Sequence, residues 1–295
     1  MRVSLIDVDS KYPNLALMKI SAYHKKKGDT VGFNLSNPDK VYHSIIFTKN
    51  KNKSLNKRLT SIEHVFGGSG FSFDSYLPDE IEFIKPDYDL YPSEYSQGYS
   101  TRGCNRNCYF CFVPRKEGCF KIWQHPKEFY DKRFKSIMLL DNNILFDPEW
   151  FLSVAQWSIN VGVKINMTQG YDIRLLDENL INYILDVRDK STPLKFAFDD
   201  TKLEGVIRNK IELMKDMGVN TKNDVAFYVY CDNDTMHDDA VYRCNVLRSL
   251  RCNADVMWNC EIPRTQRIKN LVYWSWHKPI YWSVPYNEFD KKKHT

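Results

Sequence analysis

The sequence has no cysteine before Cys104, only 12 Gly and 12 Pro in 295 residues, and no apolar run near the ~20 residues that span a bilayer. Sparse Gly and Pro, with 43% hydrophobic and 14% aromatic residues, exclude collagen-like, low-complexity and wholly disordered chains. The seven His form no H-x3-H pair and no H-E-x-x-H zinc motif. Asp7 and Asp9 interrupt the first apolar segment, so no signal peptide is expected. A soluble, cytoplasmic protein without a membrane partner is the expectation. Charge of one sign is not in excess either. Basic residues number 42 against 37 acidic ones, a net +5 that does not by itself imply nucleic acid. The basic residues do cluster, at His24 to Lys27, at Lys49, Lys51, Lys53, Lys57 and Arg58, and at Lys291 to Lys293. Solvated helix ends, a loop and a tail are the simplest reading, a phosphate-binding strip the alternative.

What is present is a regular alternation of strand and helix patterns. Residues 2–8 form an apolar run of strand length. Residues 13–26 place Leu15, Met18 and Ala22 on one helical face before Gly28, and short strands are expected at 29–33, 41–47 and 64–71. This predicts a small parallel α/β layer, flavodoxin-like or Rossmann-like, over 1–73. Residues 74–95, rich in Asp, Pro and Tyr, read as a linker. From 96 to 285 about six β/α units follow, with strands at 135–141, 162–170, 193–200, 224–232 and 255–261, and a further candidate at 279–284. Asp147 and Asp177 read as helix caps, and 286–295 as a basic tail. Ligands in such sheets sit at the carboxyl ends of the strands. The residues there are Cys104 onward, Asp141-Asn142-Asn143, Gln169 to Arg174, Asp199-Asp200 and Asp232 to Asp234.

Three of the eight cysteines fall within eight residues, in Cys104-Asn105-Arg106-Asn107-Cys108-Tyr109-Phe110-Cys111. Structural zinc wants four ligands, usually in two close pairs, and no fourth stands at that distance. Three thiolates would also make hydrolytic zinc a poor Lewis acid. The same spacing suits a [4Fe-4S] cluster that keeps one iron open. Cys119 as a fourth ligand would instead give an electron-transfer cluster. Cys231, Cys244, Cys252 and Cys260 are scattered, and Cys244, on an apolar helix face, reads as a packed thiol.

C-x3-C-x2-C with Phe110 before the last Cys, after a strand and ahead of β/α units, resembles the radical S-adenosylmethionine superfamily over about residues 96–285. The resemblance implies a partial (β/α)6 barrel. It also implies a [4Fe-4S] cluster on Cys104, Cys108 and Cys111 whose open iron binds S-adenosylmethionine, and an external reductant such as flavodoxin or ferredoxin. The activity implied is reductive cleavage to a 5′-deoxyadenosyl radical that abstracts hydrogen from a substrate, as an oxidoreductase or transferase; the substrate is not named by it. Phe110 carries over as the motif aromatic. Asp141 carries over as partner of the cofactor's amino group, supported by Asn142 or Asn143, with a turn and helix cap as the alternative. Gln169, Asp172 and Arg174 are candidates for its ribose or carboxylate, with a salt bridge inside the loop as the alternative. Asp199 is expected to face cofactor or substrate. Tyr228 and Tyr230 share a strand face, where packing is the simpler role.

Residues 1–73 resemble a degenerate cobalamin-binding domain, with Gly67-Gly68 where that family places a glycine pair. Asp7-Val8-Asp9-Ser10-Lys11-Tyr12 lacks the His and Gly of the cobalt-ligating motif, which argues against cobalamin held by a protein His. Base-on or vestigial binding stays open. With no cysteine before Cys104, a single cluster is expected. The competing reading is a nucleic-acid-associated iron–sulfur protein, or an electron carrier, whose cluster is structural.

Overall fold

The structure, a computed structural model, describes residues 1–55 and 62–293; Lys57 and Arg58 of the basic run lie outside the described residues. The chain divides into two compact units, residues 1–142 and 143–295.

In the first unit β1 (Arg2–Asp7), β2 (Thr30–Phe33), β3 (Lys40–Ser44) and β4 (Glu63–Gly67) form a parallel sheet in the order β2-β1-β3-β4. A flavodoxin-like layer has this order. Helix α1 (Leu15–Lys26) starts at Asn14, whose side chain accepts the Leu17 N–H at 3.2 Å. Leu17 and Ile20 of that helix pack on Val3, Leu5 and Ile81 to make the core. Short helices α2 (Lys51–Leu55) and α3 (Asp79–Glu82) follow, the latter inside the expected linker. Then come β5 (Ser96–Gly98), β6 (Thr101–Arg102), α4 (Val113–Glu117), β7 (Lys121–Ile122) and β8 (Ser136–Leu139). β5 and β8 pair in parallel. β6 and β7 pair antiparallel, Thr101 with Ile122 and Arg102 with Lys121, and so close the base of the cysteine loop.

The second unit runs α5 (Pro148–Val161), β9 (Lys164–Met167), α6 (Glu178–Val187), β10 (Leu194–Ala197), α7 (Glu204–Asp216), α8 (Thr221–Asp224), β11 (Val225–Tyr230), α9 (His237–Ser249), β12 (Asn253–Met257), α10 (Gln266–Trp276) and α11 (Lys278–Ser283). β10, β11 and β12 form a parallel sheet. The caps lie where the sequence puts them: Asp147 accepts the Trp150 N–H at 3.0 Å and Asp177 that of Leu180 at 2.8 Å. The periodic faces are buried, with Leu180, Ile184 and Val187 on α6, Ile207, Ile211 and Met214 on α7, and Ala240, Cys244 and Leu247 on α9. One element differs. Residues 279–284, a candidate strand by composition, lie mostly in α11, which has Pro279 in its first turn. Helical geometry sends Tyr281 inward, where its hydroxyl donates to the Cys244 and Cys252 carbonyls, both at 3.1 Å. The aromatic helix before it, α10, packs against β12. Trp274 is buried and Trp276 donates its indole N–H to the Val256 carbonyl at 3.0 Å. The fold is mixed α/β with parallel sheets, and no helix among the described residues is long and apolar enough to cross a membrane.

Candidate functional site

Cys104, Cys108 and Cys111 are half-buried in a loop that the β6–β7 pair closes at its base. Backbone amides face two of the sulfurs, Arg106 N–H towards Cys104 Sγ at 3.4 Å and Val113 N–H towards Cys111 Sγ at 3.5 Å. Burial raises the Cys111 thiol above its ordinary pKa, the Val113 amide opposes this, and charge on Cys108 and Cys104 adds to the rise. Among the described residues no group of three or more His, Cys, Asp or Glu is arranged to hold one metal ion. Ligands that share one zinc stand only about 4 Å apart, because each Zn–S bond is about 2.3 Å.

Two acids, one buried and one half-buried, fix the ends of this loop. Asp141, at the end of β8, is fully buried. Its carboxylate accepts the Ser100 and Thr101 N–H groups at 2.7 and 2.8 Å and their hydroxyls at 2.5 and 2.7 Å. Burial pushes it up to about 6, although these four bonds favour the ionised form. Glu117, at the end of α4, accepts from Arg102 Nη2 at 3.1 Å, from the Gly103 N–H at 3.1 Å and from Asn142 Nδ2 at 3.0 Å. Arg102 also meets Glu82 at 3.2 Å, and Glu82 pairs with Lys19 at 2.9 Å. Burial lowers the pKa of Lys19, and Glu82 opposes that. This chain of charges holds the loop to α1 and α3, and so places the cysteines in the first unit. Gly103 has φ +76°, and a Cβ there would stand 2.1 Å from the Cys119 carbonyl oxygen. The sequence reading missed Ser100, Thr101, Glu117 and Glu82, which belong to no motif.

Asp141 and Asn142 are thus brought to the loop's supports, and Phe110 lies in the loop itself, edge-on to Tyr109 at 5.2 Å. The other candidates lie in the second unit. Asn143 is buried, and neither atom of its side-chain amide has a hydrogen-bond partner among the described residues. Gln169 is exposed. Arg174 grips the buried Asp172 with two bonds, 2.8 and 2.6 Å, the salt bridge inside the loop that the sequence allowed. Asp199 accepts the Tyr230 N–H at 2.8 Å. Arg243, unremarked in the sequence, is fully buried and ties the ends of β10 and β11, donating to the Phe198 carbonyl at 2.6 Å and the Tyr230 carbonyl at 3.0 Å.

In the N-terminal sheet, Asp9 accepts the Ile46 and Phe47 N–H groups at 2.8 and 3.0 Å, and Asp7 accepts the Tyr91 hydroxyl at 2.6 Å. Backbone amides beyond β3, where a flavodoxin-like layer receives ligands, are thus taken by the chain itself. Gly68, at φ +94°, packs on its own chain too: a Cβ would stand 2.2 Å from the Ile45 carbonyl oxygen. In the basic run, Lys51 donates to the Phe71 carbonyl at 3.0 Å. Cys231, Cys244 and Cys252 are buried, which pushes their thiols up to about 11, 12 and 12, while Cys119 and Cys260 are exposed.

No family model and no curated protein matches this chain.

Proposed function

We propose that the chain is a radical S-adenosylmethionine enzyme of the cytoplasm, with Cys104, Cys108 and Cys111 as the ligands of a [4Fe-4S] cluster. The observation that carries the reading is the C-x3-C-x2-C loop, with three half-buried thiols and amides directed at two sulfurs. The donor set fits. Burial, and after it mutual repulsion, raises the bare Cys111 thiol; a cation among the sulfurs would favour the thiolate instead, and N–H groups on sulfur tune a cluster's potential. When bound and reduced, the cluster supplies the electron that splits S-adenosylmethionine into methionine and a 5′-deoxyadenosyl radical. In this reading the successive β/α units form a partial (β/α)6 barrel.

The chain's own residues hold the geometry. Asp141 fixes Ser100 and Thr101, just ahead of the loop, and Glu117 fixes Arg102 and Gly103 at its neck. Asp141 therefore acts as a positioning residue, its oxygens already engaged by four donors. Asn143, two residues on, offers a buried donor and acceptor that suit a polar cofactor group such as an amino or carboxylate group.

Anoxic reconstitution with iron, sulfide and dithionite, followed by S-adenosylmethionine, is expected to release 5′-deoxyadenosine. Changing Cys104, Cys108 or Cys111 to Ala removes iron and product, whereas Cys244→Ala keeps both. A fully loaded cluster that yields no 5′-deoxyadenosine refutes the enzyme and leaves the electron carrier. An iron-free, colourless protein refutes both.

A further inference from the structure

The β10–β12 sheet has two unlike faces. Phe196, Phe227, Ala254 and Val256 point to one and are buried. The register sets Ala197 beside Tyr228 and Tyr228 beside Asp255, so Lys195, Tyr228 and Asp255 share the other face. There two lysines meet one acid. Asp255 accepts from Lys195 Nζ at 2.5 Å and from Lys278 Nζ at 2.6 Å. Lys278 is saturated, since it also donates to the Ala254 and Ser275 carbonyls at 2.9 and 3.1 Å. Lys195 is not: among the described residues its ammonium makes the one hydrogen bond to Asp255, of three it can donate, and stands 5.3 Å over the Tyr228 ring. Tyr228 in turn reaches the Thr168 carbonyl at 2.7 Å and walls one side.

A structural ion pair needs one lysine. Two on a single carboxylate leave one positive charge without compensation, in a place where the Lys195 side chain is 20% and that of Asp255 17% exposed. Such a charge is costly to desolvate alone. Its effect is visible on Lys278, which burial lowers from its ordinary pKa and to which the neighbouring Lys195 adds, against the pull of Asp255.

We propose that this face is a binding site for an anionic group, a carboxylate or a phosphate, with Lys195 donating the hydrogen bonds that Asp255 leaves unused. Identifying that anion as the substrate's recognition group rests on the enzymatic function proposed above. The anion binding does not, and is measured on protein without iron.

The full chain is titrated with inorganic phosphate and, separately, with succinate, at ionic strength held constant with chloride, by calorimetry. Saturable one-site binding of either supports the site, and the tighter of the two names the chemistry. Lys195→Gln weakens that binding by about tenfold or more, the size of a lost charge-assisted hydrogen bond, and Lys195→Arg retains most of it. Asp255→Asn, which removes the competing carboxylate, tightens it. In the unaltered protein, anion saturation raises the pKa of Lys278 read by side-chain NMR, a readout that needs no variant. Absent saturable binding, an unchanged affinity in folded Lys195→Gln, or a Lys278 titration unmoved by the bound anion overturns the site. None of these outcomes touches the release of 5′-deoxyadenosine, so the two proposals fail separately.

Discussion

Asp141→Asn tests how the loop support is balanced. An Asp in an unfolded chain titrates near 3.9, whereas burial holds folded Asp141 at about 6. Between those values the folded protein retains a proton that the unfolded chain has lost, so stability falls as pH rises through the window. A shift of about two units corresponds to about 3 kcal/mol, fully present below the unfolded pKa and gone above the folded one. Asparagine has no proton to lose, but turns an NH2 towards a site that now receives the Ser100 or Thr101 N–H. One buried amide is left without an acceptor, at a cost of ~1–3 kcal/mol, while the two hydroxyls can rotate to accept. Urea unfolding of both proteins at about pH 4.5, 6 and 7.5 isolates Asp141, because all other groups cancel in the difference. The native protein should exceed the variant most at the acid end, and the two should converge as pH rises. A gap that stays constant, or widens with rising pH, refutes the claim that burial outweighs the four hydrogen bonds.

Glu117→Gln uncouples Arg102, whose side chain is 16% exposed; breaking so buried a pair is expected to cost ~3–5 kcal/mol in urea and to lower iron retention, and unchanged stability would show the pair to be ornamental. Gly103→Ala forces a Cβ to within 2.1 Å of the Cys119 carbonyl oxygen, so iron binding is expected to fail, while Gly205→Ala, in α7 with nothing within 4 Å, should stabilise by ~0.5–1 kcal/mol. Equal iron content in the two glycine variants would contradict the neck geometry. Arg243→Met orphans the Phe198 and Tyr230 carbonyls and is expected to lower the urea midpoint by the equivalent of ~3–5 kcal/mol, with normal stability counting against its role as a strand tie.

Much of the fold was legible because its signals are local. The spacing of Leu180, Ile184 and Val187 marks a helix whichever partner it meets, and Asp177 caps it through its own neighbours. The misread element shows where local signals stop. Residues 279–284 have strand-like aromatic and β-branched composition, yet lie mostly in a helix, from which the Tyr281 hydroxyl meets the Cys244 and Cys252 carbonyls. The candidate site divides in the same way. Cys104, Cys108 and Cys111 are visible as a spacing, because residues three and four apart in one loop are held near one another by the chain itself. Asp141 was singled out from its position after a strand, but its engagement with Ser100 and Thr101 spans 40 residues and more and leaves no pattern in the sequence.

The sequence by itself determined the alternation of strands and helices, the caps at Asp147 and Asp177, and the one loop where thiols crowd together, because each depends on residues a few positions apart. Tertiary structure alone decided which acids would be buried beside that loop, that Lys19, Glu82, Arg102 and Glu117 would form one chain of charges, and that two lysines would share Asp255. The physical reason is that burial and charge pairing are set by neighbours brought together from distant positions, and their magnitude depends on how completely water is excluded around them.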